Sequence, residues 1–270
     1  MKLPFHDYLL VTDLDGTLYK NQNFIPEINL KAIERFEELG GKFTICTGRG
    51  VNTTEFISEV IKFNCPLIVN GGHTFYDFYK DKAVLNVNLA ESSKEFVRLL
   101  QNKFSNVGIE IYSDRKIYCL HVNDVTKEHL SYEKVDFIET TLDEIIDLDW
   151  QKVLFEDDED KIKEVREFAR ANCPDDIRLM DTNRRFMEFA TTYTDKGTAI
   201  LKLADMLDIP HSNVCAIGNY YNDLEMVQAA GIGAFVNDSP ADLKAQADYI
   251  TAKDCVDGAL AEFIDYIVNL

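Results

Sequence analysis

Short apolar runs alternate with helix-spaced segments at both ends of this chain, and in the middle the alternation stops. Tyr8-Leu-Leu-Val-Thr-Asp13 is a run of the kind a buried parallel strand shows. Residues 26–39 then place apolar side chains at Ile28, Ala32, Ile33, Phe36 and Leu39, a helical spacing that Gly40-Gly41 ends. Lys42-Phe-Thr-Ile-Cys-Thr47 reads as a second strand, residues 51–62 as a second helix and Pro66-Leu-Ile-Val-Asn70 as a third strand. Repeated βα units of this length imply a parallel sheet with right-handed crossovers. Between about Ala83 and Phe186 the strands look half-exposed, as at residues 107–112 and 116–121, with helices predicted at 92–104 and 160–171. After Lys196 the first rhythm returns, with helices at 197–207, 223–230 and 258–268 and strands at 213–218 and 231–236. The expectation is an α/β chain: a Rossmann-like parallel-sheet core, residues 1–82 and 187–270, with an α+β domain, residues 83–186, inserted in it.

Composition narrows the function classes. Of 270 residues 46 % are hydrophobic, enough for a sizeable core, and the formal charge is −19. A surface of that sign opposes non-specific nucleic-acid binding, and any anionic substrate needs a local positive site. Residues 1–8 carry one lysine and no long apolar run, which does not read as a signal peptide, and no stretch approaches the roughly 18 apolar residues of a membrane span. The six cysteines, at 46, 65, 119, 173, 215 and 255, form no C-x-x-C pair and read as reduced thiols, so a cytoplasmic protein is expected.

The chemistry gathers at strand ends. Asp13-Leu-Asp-Gly-Thr-Leu18 sits where the first strand stops, and open α/β sheets bind ligands at the carboxyl ends of strands. Two carboxylates spaced i, i+2 and followed by Gly16 and Thr17 offer hard oxygens for Mg²⁺ and backbone N–H groups for phosphate, though a plain Asx turn has the same pattern. Thr47-Gly48-Arg49 ends the second strand with a hydroxyl and a guanidinium, the groups that phosphate recognition uses. Lys196-Gly197 opens a helix and supplies an ammonium. Gly218-Asn-Tyr-Tyr-Asn-Asp223 supplies an amide and a carboxylate after a fourth strand, or else caps the next helix. Each motif alone has a bland reading; the four together converge on phosphoryl chemistry.

The order and spacing of these motifs resemble the haloacid dehalogenase superfamily and, within it, the Cof-type phosphatases with a class IIB cap. D-x-D-G-T-L, T-G-R, K-G and G-x-x-x-N-D carry the resemblance over nearly the whole chain, and Asn70-Gly71, Asn237 and Asp257-Gly258 look like further landmarks. The resemblance implies a phosphatase acting on a small phosphorylated metabolite such as a sugar phosphate. Asp13 would be the nucleophile and Asp15 the acid and base, with Thr47 and Lys196 holding the transferring group. It implies substrate contacts from Gly16, Thr47, Gly48, Arg49, Asn70, Lys196 and Asn222, and Mg²⁺ held by Asp13, Asp15, Asn219 and Asp223. The inserted domain would be a cap that closes over the substrate, on a monomer or weak dimer. Asn219 departs from the pattern, since the family has an aspartate there. A phosphosugar mutase, or a phosphate sensor with a weakened metal site, is the alternative.

The remaining candidates read as structural. The five histidines show no ligand spacing, although His73 follows Gly71-Gly72 near the proposed site. Trp150 reads as cap packing, Arg184-Arg185 as a solvated hairpin turn rather than a contact to a second anionic group of the substrate, and the acidic run at residues 156–160 as a solvated helix start rather than a metal site.

Overall fold

Every side chain of Leu9–Thr12 is buried in the computed structural model, which describes residues 2–20 and 24–270. That strand is the middle of a parallel sheet ordered Tyr249–Ile250, Ile232–Phe235, Val214–Gly218, Leu9–Thr12, Lys42–Ile45. A strand buried on both faces reads as a continuous apolar run rather than an alternating one, which explains the Leu-Leu-Val sequence. Leu9 and Val11 join Val214, Ala216, Ala199, Ile200, Leu203 and Met226 in one core on one face. The last four belong to the helices Lys196–Met206 and Leu224–Ala229. Each such aliphatic side chain contributes about 1.5–3 kcal/mol by leaving water. The helices Glu27–Glu38 and Ala259–Val268 are tied together by Asn29 Oδ1, which accepts from Ala261 N at 3.0 Å, and by an Arg35–Asp265 ion pair at 2.7 Å.

The chain divides into two compact units, Met1–Gly48, Phe56–Leu85 and Asp195–Leu270 in the first, Arg49–Glu55 and Asn86–Thr194 in the second. The second is built on a six-stranded sheet ordered Ile177–Asn183, Phe186–Thr191, Lys152–Glu156, Gly108–Ser113, Lys116–His121, Ile138–Glu139. Phe96, Ile109, Ile111, Trp150, Val153, Phe155, Ile162 and Phe189 form its main core, with the helices Ser92–Lys103 and Glu159–Asn172. A smaller cluster of Tyr112, Ile117, Cys119, Leu130 and Leu154 includes the helix Asp124–Glu133. Trp150 packs in the main core, 1 % exposed, and its indole N–H donates to Ile145 O.

Several local expectations change. Phe186–Thr191 pairs with Lys152–Glu156 in the second sheet, so a return to the core at residue 187 falls inside a strand, and the first unit resumes at Asp195. Its sequence is apolar enough for either sheet, and only the hairpin with Ile177–Asn183 assigns it. Leu67–Val69 meets the parallel sheet through a single bridge, Cys46↔Ile68, and pairs antiparallel with Thr74–Asp77. Asn70, Gly71 and Gly72, at φ 52, 64 and 107°, reverse the chain there. Residues 51–62 form a 3-10 turn, Asn52–Thr54, followed by the helix Glu55–Val60, because the Thr53 and Thr54 hydroxyls bond back to Gly50 O. Glu156 does not start a solvated helix. It ends a strand, wholly buried, while the helix begins at Glu159 behind Asp158.

Among the described residues no helix is long and apolar enough to cross a membrane. All six cysteines are free, four of them buried.

Candidate active site

The strand order reverses at the middle of the parallel sheet: one connection from Leu9–Thr12 leads to Lys42–Ile45, and on the other side lies Val214–Gly218. A crevice outside the carboxyl ends of two such strands is where an open α/β sheet binds ligands. Asp13 follows the first strand and Asn219 the second. Asp13 N donates to Ile217 O at 2.9 Å, which extends the ladder by one residue and fixes the nucleophile candidate at the sheet's edge.

Lys196 brings the two strand ends together. It is the first residue of its helix, whose start is set by a capping box between Asp195 and Thr198. Its Nζ lies 2.6 Å from Asp13 Oδ1 and 2.6 Å from Asp223 Oδ1, with all three side chains buried. Asp223 Oδ2 accepts from the backbone N–H of Asn219 at 2.9 Å and of Tyr220 at 3.1 Å, so one carboxylate holds the turn and the lysine at once. Burial pushes the Asp13 carboxyl up, the Asp223 charge adds to that, and Lys196 opposes both, leaving Asp13 at about 7. Burial would lower the Lys196 ammonium, but Asp13 and Asp223 overcome it and hold the group above its ordinary range.

The other motif residues join through backbone and close packing. Gly16 has φ +83°, and a Cβ there would meet Asn219 Nδ2 at 2.3 Å. Only glycine lets the Asp13–Gly16 turn and Asn219 approach this closely. Asp15 is exposed beside it. Thr47 is buried, donates from its N–H to Ile68 O and accepts from Gly71 N at 2.9 Å, so the second strand end holds the Asn70–Gly72 turn. A Cβ on Gly72 would lie 2.8 Å from Asp195 O, so that turn packs against the start of the lysine's helix. Asn70 Nδ2 donates to Thr74 Oγ1 at 3.2 Å, while its buried Oδ1 has no hydrogen-bond partner among the described residues. His73 Nδ1 lies 2.7 Å from Asn70 O and braces this turn. Above Gly48 there is open space. Asn222 is exposed, one residue before Asp223.

Arg49 belongs to the second unit, where Nη1 donates to Glu133 Oε2 at 2.7 Å in a largely buried ion pair. Arg184 and Arg185 sit in the Asn183–Phe186 turn and pair with Glu159 and Glu128. Sequence reasoning also passed over Glu110, His129 and Glu156, which come from two strands and a helix and meet in the second unit.

A family model of haloacid dehalogenase-like hydrolases matches residues 10–264. The chain belongs to this family. It is 27 % identical over 253 residues to the 5-amino-6-(5-phospho-D-ribitylamino)uracil phosphatase YcsE of Bacillus subtilis, covering 93 % of this chain and 92 % of that one. Among solved structures, a haloacid dehalogenase-like hydrolase from Bacteroides thetaiotaomicron superimposes with a TM-score of 0.86 at 22 % identity, over 96 % of this chain and 99 % of the other. The HAD subclass IIB sugar phosphatase BT4131 gives 0.82 at 19 % identity, over 97 % and 100 %. For this haloacid dehalogenase-like hydrolase the two structural matches establish the fold, a parallel-sheet core with helices and an inserted unit.

Proposed function

We propose that the chain is a magnesium-dependent phosphatase that hydrolyses a phosphate ester of a small sugar-like metabolite through an aspartyl-phosphate on Asp13. The observation that carries the reading is the Lys196 ammonium held 2.6 Å from both Asp13 and Asp223 at the switch point of the sheet. Phosphatase chemistry is in keeping with the family and with the names of its relatives, two of which specify a phosphorylated ribityl group and a sugar phosphate.

The residues fit a magnesium ion on charge and on donor type. Asp13 and Asp223 bring two buried carboxylates against one ammonium. Asp13, Asp223, the Asn219 amide and the Asp15 backbone carbonyl are all hard oxygen donors. When bound, Mg²⁺ offsets negative charge between these carboxylates and the transferring phosphoryl group.

The chain's own groups account for the two steps. An Asp13 carboxylate oxygen forms a bond to phosphorus while the bond from phosphorus to the leaving oxygen breaks, and Asp15 gives that oxygen its proton. Asp15, now ionised, takes a proton from water as the water oxygen attacks phosphorus. The bond from phosphorus to the Asp13 oxygen breaks, and inorganic phosphate leaves. Lys196 and Thr47 neutralise and hold the phosphoryl oxygens, with backbone N–H groups near Gly16 and Gly48. We read the inserted unit as the cap that selects the substrate, with Asn70 and Asn222 as contacts from the core.

Release of phosphate from p-nitrophenyl phosphate and a panel of sugar and polyol phosphates, with Mg²⁺ or with EDTA, tests this. The expected result is turnover in Mg²⁺ that EDTA removes. Turnover unchanged in EDTA, or none across the panel, overturns the reading, and transfer of labelled phosphate to a sugar rather than to water points to a mutase.

Asn219 gives a second expectation. Its amide supplies an oxygen without charge, and affinity for a hard cation rises with the charge of its ligands. Asn219→Asp should bind Mg²⁺ about tenfold more tightly, by calorimetric titration. Equal affinities would remove Asn219 from the metal site.

A further inference from the structure

The second unit holds a set of metal-ligand side chains that the phosphatase reading does not use. Glu110 lies on the strand Gly108–Ser113, and Glu156 ends the neighbouring strand Lys152–Glu156. The register pairs Gly108 with Glu156 and Glu110 with Leu154, so both glutamates share the sheet face of Tyr112 and Leu154. His129 comes from the helix Asp124–Glu133, which packs on that face through Leu130. The helix is fixed by its Asn123–Thr126 capping box, and Asn123 Nδ2 also donates to Glu156 O at 2.9 Å. The imidazole stands 5.0 Å from the Phe186 ring, centroid to centroid.

One ligand atom from each of Glu110, His129 and Glu156 lies within 4.8 Å of the other two. His129 Nδ1 is 3.0 Å from Glu110 Oε1 and 3.5 Å from Glu156 Oε2, and both carboxylates are wholly buried. A buried carboxylate is costly unless hydrogen bonds or a cation satisfy it. Glu110 has the Tyr112 hydroxyl on Oε2 at 2.8 Å. Neither oxygen of Glu156 meets a partner in good hydrogen-bond geometry among the described residues; Glu110 and Thr126 are the groups beside it, and burial together with the Glu110 charge raises its carboxyl to about 9. Within ion-pair distance both carboxylates meet the same group, His129, whose imidazole is held below its ordinary 6.5 by burial, so the cluster limits its charge by keeping protons that a bound cation would displace.

We propose that Glu110, His129 and Glu156 form a binding site for a divalent transition-metal ion of the zinc class, carried by the second unit and separate from the magnesium residues of the first. Two carboxylate oxygens and an imidazole nitrogen suit Zn²⁺ and similar ions, whereas Mg²⁺ prefers oxygen ligands in an octahedron with several waters. A tetrahedral ion at about 2.0–2.1 Å from each ligand sets neighbouring ligand atoms roughly 3.3–3.5 Å apart. The two separations from His129 Nδ1 bracket that value. The Tyr112 hydroxyl fixes the orientation of Glu110, the role that outer partners play around metal ligands. The His129 side chain is 16 % exposed, so solvent reaches one side of the cluster. An ion there ties two strands to the helix that covers them, and its binding energy adds to the stability of the unit.

Zinc titration of the full chain, followed by equilibrium dialysis and metal analysis, tests the site. Wild type should retain one more equivalent of zinc than His129→Gln or Glu156→Gln, with the residual affinity of either variant at least about 100-fold weaker. Zinc should also raise the melting temperature of wild type more than that of either variant. Equal zinc retention in all three chains overturns the proposal. Should a variant fail to fold, anomalous scattering at the zinc edge from soaked wild-type crystals decides: a peak among the three side chains supports the site, and none there refutes it.

Discussion

Asp13→Asn should lower phosphate release about 10³-fold or more in kcat/KM and, at pH 8 without metal, should melt above wild type. The activity loss follows from the role: an amide cannot form the bond to phosphorus, and the remaining residues only position the substrate. The stability gain follows from the environment. Asp13 is buried, and burial together with the Asp223 charge raises it to about 7, against an ordinary value of 3.8. A carboxyl raised on folding favours the folded state below its unfolded value, and that contribution is lost as pH rises through the folded one. At pH 8 wild type therefore bears the part of the cost of a buried anion that Lys196 does not offset, and the asparagine chain bears none. At pH 4 the difference should nearly vanish. The shift at pH 8 amounts to about 2–4 °C for each kcal/mol recovered in a chain of this size. Thermal melts at both pH values, paired with a phosphate-release assay, check the two halves. A variant that melts below wild type at pH 8 would show that Asp13 is stabilised where it stands, and substantial residual turnover would displace it as nucleophile. The pairing of a catalytic loss with a stability gain is expected where a site holds charge against its environment.

The parallel core was legible because its signals are local. A run such as Leu9–Thr12 is apolar at every position only when both faces are covered, and Asp13, Thr47 and Asn219 stand out because each follows such a run. Lys196 was legible by its place at a helix start, although its two 2.6 Å contacts join residues 183 and 27 positions away in sequence and could not be read in advance. What escaped depends on pairing between distant segments. The strand Phe186–Thr191 has a composition that fits either sheet, and its hairpin with Ile177–Asn183 decides. Glu156 opens a run of five acids, which suggested a solvated helix start, yet both faces of the strand Lys152–Glu156 are covered, so its last side chain is interior as well. Arg49 follows Thr47-Gly48, which suggested phosphate binding. A partner 84 residues on, Glu133, takes its Nη1, a contact that no spacing in the sequence announces. His129 shows no ligand spacing because its companions lie on two strands, at positions set by sheet register rather than by helical or loop periodicity.

Lys196→Met should be the most damaging single change to the first unit. The lysine is the cation between two buried carboxylates, and removing one partner from a buried ion pair costs about 3–5 kcal/mol because the other charge is left uncompensated. At about 2–4 °C per kcal/mol, the melting temperature should fall by roughly 10 °C in metal-free buffer at pH 8. Lowering the pH should recover part of the loss. Without the ammonium nothing opposes the burial and like-charge repulsion that raise Asp13, so its protonation on folding favours the native state more as pH falls from 8 towards 6. Added Mg²⁺ should also restore stability, since a dication replaces the missing charge. It should not restore turnover, because the ammonium's second task is to meet charge that develops on the phosphoryl oxygens, and loss of one such group costs about 10²–10³-fold. Melts at pH 6 and pH 8, with EDTA or Mg²⁺, separate the electrostatic account from simple packing loss. A deficit independent of both pH and metal would mean that the lysine's methylene stem, not its charge, holds the two strand ends together.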